Sequence, residues 1–243
     1  MNGKFFHNKL FVHHKINEKQ KVTKQGLRDF ILGFQDGAVN TLGLVLGVAV
    51  AVASKNIVLI SGLVTAFAES LSMAAVAYTS TKAAKEYYES KRLQELREIK
   101  EIPKMEREEI RQIYYKKGFR GGELNAIVKK ITSNKKLWLE TMMEEELHLL
   151  PDDYGEGRSA WIVGLAAIIG CLIPILPFFL FSVKAGMIAS LGFTIVVLFI
   201  VGAIKARLTI GVWWKKGLEL TAIGTLTALV GFGVGTVLGA WLG

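Results

Sequence analysis

The chain has 243 residues, 51% of them hydrophobic and 21% charged, with a formal net charge of +9. That mixture is too apolar for an ordinary soluble domain and too charged for a protein wholly embedded in lipid. The single cysteine, Cys171, rules out an intrachain disulfide framework and reads as a buried, inert thiol.

Residues 1–28 are basic and polar, with seven Lys and Arg and no apolar stretch of the kind a cleavable signal peptide carries. With His7, His13 and His14, this segment is expected to lie on anionic lipid or to be disordered. Five apolar stretches follow, roughly 30–54, 57–80, 159–182, 186–205 and 213–242. Each is long enough to cross a bilayer, which takes about 20 residues. A soluble core of five such segments needs an interior larger than this chain builds. Twenty-eight of the 30 Lys and Arg fall in segments that five crossings put on one side; only Lys55 and Lys184 fall on the other. The positive-inside rule then places the amino terminus, the 81–157 block and the loop near 205–216 in the cytoplasm, with the carboxyl terminus opposite.

The 81–157 block reads as a small helical domain between the second and third spans. From Thr79 to Lys100 there is no Gly or Pro, so the second helix is expected to run on out of the membrane to Pro103. Further helices are predicted at 104–117, ending before Gly118, at 122–132, and from Lys135 to Leu147 before Pro151. The domain organisation is thus a basic segment (1–28), two spans (29–80), the helical block (81–157) and three spans (158–243). Lys and Arg nearly balance the acids of the block, so it carries no nucleic-acid footprint.

The acids that remain in the spans are Asp36, Glu69 and Glu219. Glu219 follows Lys215 and Lys216 by about one turn and is expected to snorkel and pair there. Asp36 lies about 10 Å inside the first span. Glu69 stands four residues before Met73, which puts both on one helix face. Carboxylates are costly in hydrocarbon and mark ion or proton routes. A hard carboxylate beside a soft thioether suits a first-row divalent metal. For Asp36 the plain alternative is an interfacial or capping residue, and for Met73 it is packing. In the block, Glu95 and Glu98 are three apart, as are Glu106 and Glu109, and Met142 and Met143 precede Glu144, Glu145 and Glu146. Such faces turned together bind divalent cations through oxygen. Turned outward they are a solvated surface paired with Lys91, Arg97, Lys100 and Arg107. Gly33 and Gly37, Gly43 and Gly47, and the series Gly231, Gly235, Gly239 and Gly243 fit either a compact bundle or a dimer seam.

The stretch from Arg28 to Thr41, with Asp36-Gly37 at its centre, resembles the opening helix of the vacuolar iron transporter family. Gly62-Leu63-Val64 and Ser72-Met73-Ala74-Ala75 resemble that family's second helix. The glutamates of 95–109 and Met142-Met143 with Glu146 resemble its cytoplasmic metal-binding domain. The resemblance implies an all-α, five-span homodimer with a cytoplasmic metal-binding domain between helices 2 and 3. It implies export of Fe²⁺, and of Mn²⁺ too, from the cytosol in exchange for protons, with Zn²⁺ and Co²⁺ as further candidate ions. It places Asp36 and Met73 on the transport path, with Glu69 beside them, and Glu95, Glu98, Glu106, Glu109, Met142, Met143 and Glu146 as metal ligands. The membrane is either a prokaryotic inner membrane or a vacuolar one. Two positions depart from the family's pattern. Ala77 stands where a glutamate is common, with Glu69 as the candidate substitute. Leu149, beside His148, stands where another glutamate is common, so the site is expected to hold fewer ions or to use His148. Glu145 and His148 also form a Glu-x-x-His pair of the kind found in di-iron bundles. A membrane-anchored ferroxidase or iron-storage protein is therefore the alternative. No nucleophile triad, phosphate loop or haem motif is present, so conventional catalysis is not expected.

Overall fold

The structure, a computed structural model, describes residues 3–150, 155–208 and 211–242. The regular elements among the described residues are all helices: α1 (Gly3–Val52), α2 (Lys55–Glu101), α3 (Pro103–Lys116), α4 (Gly121–Thr132), α5 (Lys135–Thr141) with a π-helical turn (Met142–Glu146), α6 (Glu156–Leu180), α7 (Val183–Leu208) and α8 (Trp213–Leu242). Among them, five helices are long and apolar enough to span a bilayer: α1 from Lys24, α2, α6, α7 to Ala206 and α8 to Trp241. Five candidate spans thus match the five apolar stretches expected from the sequence. α1 begins well before its apolar part, so the basic segment continues the first span as helix from Gly3. The side chains of His7, His13 and His14 lie outside the described residues, as does Pro151.

The contacts divide the chain into two compact units, Met1–Tyr78 with Glu156–Gly243, and Thr79–Gly155. In the first, α1 packs mainly on α6 and α8, and α7 on α8. Glycine makes this possible. A Cβ at Gly47 stands 2.7 Å from the Gly231 carbonyl oxygen, and one at Gly239 stands 2.8 Å from the Ala51 Cα. The two backbones thus touch with no side chain between them, as small residues four apart allow. Gly33 and Gly37 receive α6 at Val163 and Ala167 in the same way. Gly33, Gly37, Gly43, Gly47, Gly231, Gly235 and Gly239 thus all meet backbone of the same chain, as the compact-bundle reading expects; Gly243 lies outside the described residues.

Polar contacts tie the ends of this bundle. Ser159 at the start of α6 donates to the Asp29 carboxylate at 2.7 Å. Lys55 donates to the Phe179 carbonyl at 3.0 Å, satisfying one of the orphan acceptors at the end of α6. Inside α6, Pro174 and Pro177 lack the N–H groups that would bond the Gly170 and Ile173 carbonyls. The buried Ser190 of α7 donates to the Pro174 carbonyl at 2.7 Å.

In the second unit, the polar end of α2 continues its helix without a break to Glu101. Pro103 opens α3 at a position where its missing N–H costs nothing. The Asn134 side chain caps α5, accepting from the backbone N–H groups of Lys136 and Leu137. The core is Ile99, Ile110, Leu124, Val128, Ile131, Trp138, Leu139, Met142 and Met143. The sequence predicts one regular helix from Lys135 to Leu147; the structure widens it into a π turn after Thr141. That turn places the adjacent Met142 and Met143 together in the core, which the 100° step of an α-helix opposes.

Candidate metal stations

In the first unit, Asp36 of α1 and Glu69 of α2 are both half-buried. They lie close enough to hydrogen-bond and to feel each other's charge. Asn40, one turn beyond Asp36, donates its Nδ2–H to Glu69 Oε1 at 2.5 Å. This register places Glu69 one turn deeper than Asp36, as the antiparallel run of the two helices requires. Met73 is half-buried one turn further along α2, on the Glu69 face. Cys171 is buried, as expected, and its Sγ packs 2.9 Å from where a Gly37 Cβ would stand. Asp29, seven residues before Asp36, holds Ser159. Glu219 pairs with Lys216 at 2.5 Å, as the snorkelling reading requires.

In the second unit, Glu95 and Glu98 of α2 and Glu106 of α3 converge, with one oxygen of each within 4.8 Å of the others. Glu95 is 4% exposed and Glu106 2%, and the Oε2 of each is buried with no hydrogen-bond partner. Glu98 accepts from Gln94 at 3.0 Å. Burial pushes the Glu95 carboxyl up to about 7, and the charges of Glu146, Glu98 and Glu109 add to the rise against a smaller opposing effect of Lys91. Burial pushes Glu106 up to about 8, followed by the charges of Glu109, Glu95, Glu98 and Glu146. Glu109 and Glu146 are raised for the same two reasons. These five glutamates therefore share one field.

The bland alternative of a solvated surface fits other residues. The ion pairs described in this unit use Glu86, Glu89, Glu108, Glu140 and Glu145. Lys91 turns to Gln94, and Arg107 lies over the Trp138 ring. Met142 and Met143, expected as sulfur ligands, are 0% and 2% exposed in the apolar core, where packing alone accounts for them. Of the three consecutive glutamates, only Glu146 joins the cluster. Glu145 is held by Lys117, and the His148 ring lies 3.3 Å from the Glu144 carbonyl. The Glu145–His148 motif is thus occupied by local contacts.

Sequence reasoning left Asn40 out of the site; its position four residues after Asp36 was the available signal. Chemically, oxygens spaced as in the Glu95–Glu98–Glu106 group match a divalent cation, whose oxygen ligands stand about 2.0–2.6 Å away. Buried acceptors without donors have the most to gain from one.

A multi-pass membrane protein with acids inside its spans, and with a second, acid-lined unit, is the class this architecture defines. A model of the VIT family matches residues 27–236. The chain is 31% identical over 224 residues to vacuolar iron transporter 1 of Oryza sativa subsp. japonica, covering 91% of this chain and 89% of that one. It is 30% identical over 225 residues to vacuolar iron transporter 1 of Arabidopsis thaliana, covering 92% and 89%. It is 27% identical over 245 residues to the vacuolar iron transporter of Plasmodium falciparum (isolate 3D7), covering 96% and 88%. The chain belongs to the VIT family, and these relatives are named as transporters rather than enzymes.

Proposed function

We propose that this protein moves Fe²⁺, and Mn²⁺ as well, across its membrane out of the cytosol in exchange for protons. The observation that carries this reading is the pair of acidic stations, Asp36 with Glu69 in the spans and the glutamate cluster of residues 79–155, in a chain whose relatives are named iron transporters. The helical unit faces the cytoplasm and gathers the ion with Glu95, Glu98 and Glu106, while Glu109 and Glu146 deepen the negative field. Met142 and Met143 form its apolar core. Asp36 and Glu69 pass the ion through the bilayer with Met73 one turn away, and Glu69 supplies the carboxylate that Ala77 does not. Carboxylates must lose protons to hold a metal, which links ion movement to proton movement. The working unit is a homodimer with its amino terminus in the cytoplasm.

The test is uptake of Fe²⁺, kept reduced with ascorbate, into proteoliposomes with and without an imposed pH gradient, with Mn²⁺, Co²⁺ and Zn²⁺ as competitors. The reading expects uptake to rise with an acidic interior and a pH dye to report proton release. Uptake indifferent to the gradient removes the exchange; no uptake under either condition removes the transporter.

A further inference from the structure

Asn40 is exposed on α1 within the first span and borders an apolar groove of about 420 Å³ between α1 and α8, next to Leu44 and Val48. A primary amide there meets hydrocarbon with two donors and an acceptor, which is costly unless they are satisfied. One donor is satisfied by Glu69 Oε1 at 2.5 Å. Glu69 in turn lies within hydrogen-bond reach of Asp36. The three residues form a chain across two helices: Asp36 and Asn40 one turn apart on α1, and Glu69 facing both from α2. A carboxylate with one oxygen fixed by an amide keeps one rotamer and presents its other oxygen in a constant direction. Two acids so arranged offer a cation two charges at once. Without the amide, a half-buried Glu69 is free to swing away from Asp36.

We propose that Asn40 is a positioning residue of the membrane station, fixing the Glu69 carboxylate beside Asp36 so that both acids meet one divalent cation. This rests on the reading that Asp36 and Glu69 line the ion's path. Partners that orient a ligand from outside the coordination sphere alter metal affinity by about 10–100-fold when removed. A mere interhelical tether adds a little to stability and leaves ion handling unchanged. The two roles therefore separate in kinetics.

The experiment measures KM and kcat for Fe²⁺ in proteoliposomes for Asn40→Leu, Asn40→Gln, Glu69→Gln and the double variant Asn40→Leu/Glu69→Gln. Leucine matches the shape of asparagine and removes its donors; glutamine restores a donor. Asn40→Leu is expected to raise KM about tenfold with kcat within about twofold. Asn40→Gln is expected to recover most of that loss. In the Glu69→Gln background, Asn40→Leu is expected to add less than a twofold change, because its route of action is gone. A wild-type KM in Asn40→Leu overturns the proposal, as does a loss independent of Glu69, or an Asn40→Gln protein as impaired as the leucine one. Asn40→Ala, which only removes atoms, is read by the same criteria if the leucine protein does not reconstitute. The underlying reading fails separately: it falls if Asp36→Ala transports normally, whereas a wild-type Asn40→Leu beside an inactive Asp36→Ala removes only the positioning role of Asn40.

Discussion

Replacing Glu106 with glutamine keeps the side chain's shape and removes one charge from the most strained position of the cluster. Glu106 is 2% exposed, and its carboxyl stands at about 8 against an ordinary 4.5. A raised folded value means the folded unit holds a proton that the unfolded chain releases. Its stabilising effect is complete below about pH 4.5 and is lost as the pH climbs through 8. At about 1.4 kcal/mol for each tenfold change in proton affinity, the penalty above pH 8 is on the order of 5 kcal/mol. Glu95, standing at about 7, carries on the order of 3 kcal/mol, and the two do not add because part of each is the repulsion between them. Metal-free Glu106→Gln protein is therefore expected to be the more stable one at pH 8.5, by several kcal/mol, and the equal of wild type below about pH 4.5. Divalent metal stabilises the wild type more than the variant at pH 8.5, because the wild type brings one more carboxylate to the ion. Hydrogen exchange of α3 amides in the full chain, with EDTA or with Mn²⁺, reads each state. Equal protection of the two proteins at pH 8.5 in EDTA, or equal gain from Mn²⁺, refutes the reasoning.

Three further outcomes follow from the same structure. Mn²⁺ binding to the full chain, followed by calorimetry, is expected to weaken about tenfold or more from pH 8 to pH 6 as Glu95 and Glu106 take up protons, and a pH-independent Kd contradicts the cluster's role. Gly231→Leu is expected to break the α1–α8 contact and abolish monodisperse protein in detergent. Gly233→Leu, with open space around it, leaves the melting temperature within a few degrees, and equal behaviour of the two contradicts the packing. Adding Fe²⁺ to the protein is expected to consume oxygen no faster than Fe²⁺ in buffer, since Glu145 is held by Lys117 and His148 lies against the Glu144 carbonyl; a protein-dependent rate restores the ferroxidase reading.

Much of the architecture was legible because its causes are local. Uncharged length marks the spans, and the absence of Gly and Pro carries α2 past its apolar part to Glu101. Pro103 and Gly118 bound α3 for stereochemical reasons readable one residue at a time. What stayed hidden depends on tertiary contact. Spacing by four shows that Gly43, Gly47, Gly231 and Gly235 allow close approach, but only the fold shows that they meet one another. Spacing by three pairs Glu95 with Glu98 and Glu106 with Glu109; that the pairs turn toward each other, and toward Glu146 rather than Glu145, depends on the α2–α3 bend and the π turn. The π turn had no local signature, because it answers the demand to bury two adjacent methionines. Asn40 looked like an ordinary polar residue until Glu69 was found opposite it.

The central claim, that a metal ion passes acids held inside the bilayer, is tested most directly by Fe²⁺ uptake into proteoliposomes carrying Asp36→Ala protein under an acidic interior. The account predicts uptake near the protein-free background while Mn²⁺ still binds the 79–155 unit as in wild type. Uptake at the wild-type rate contradicts it.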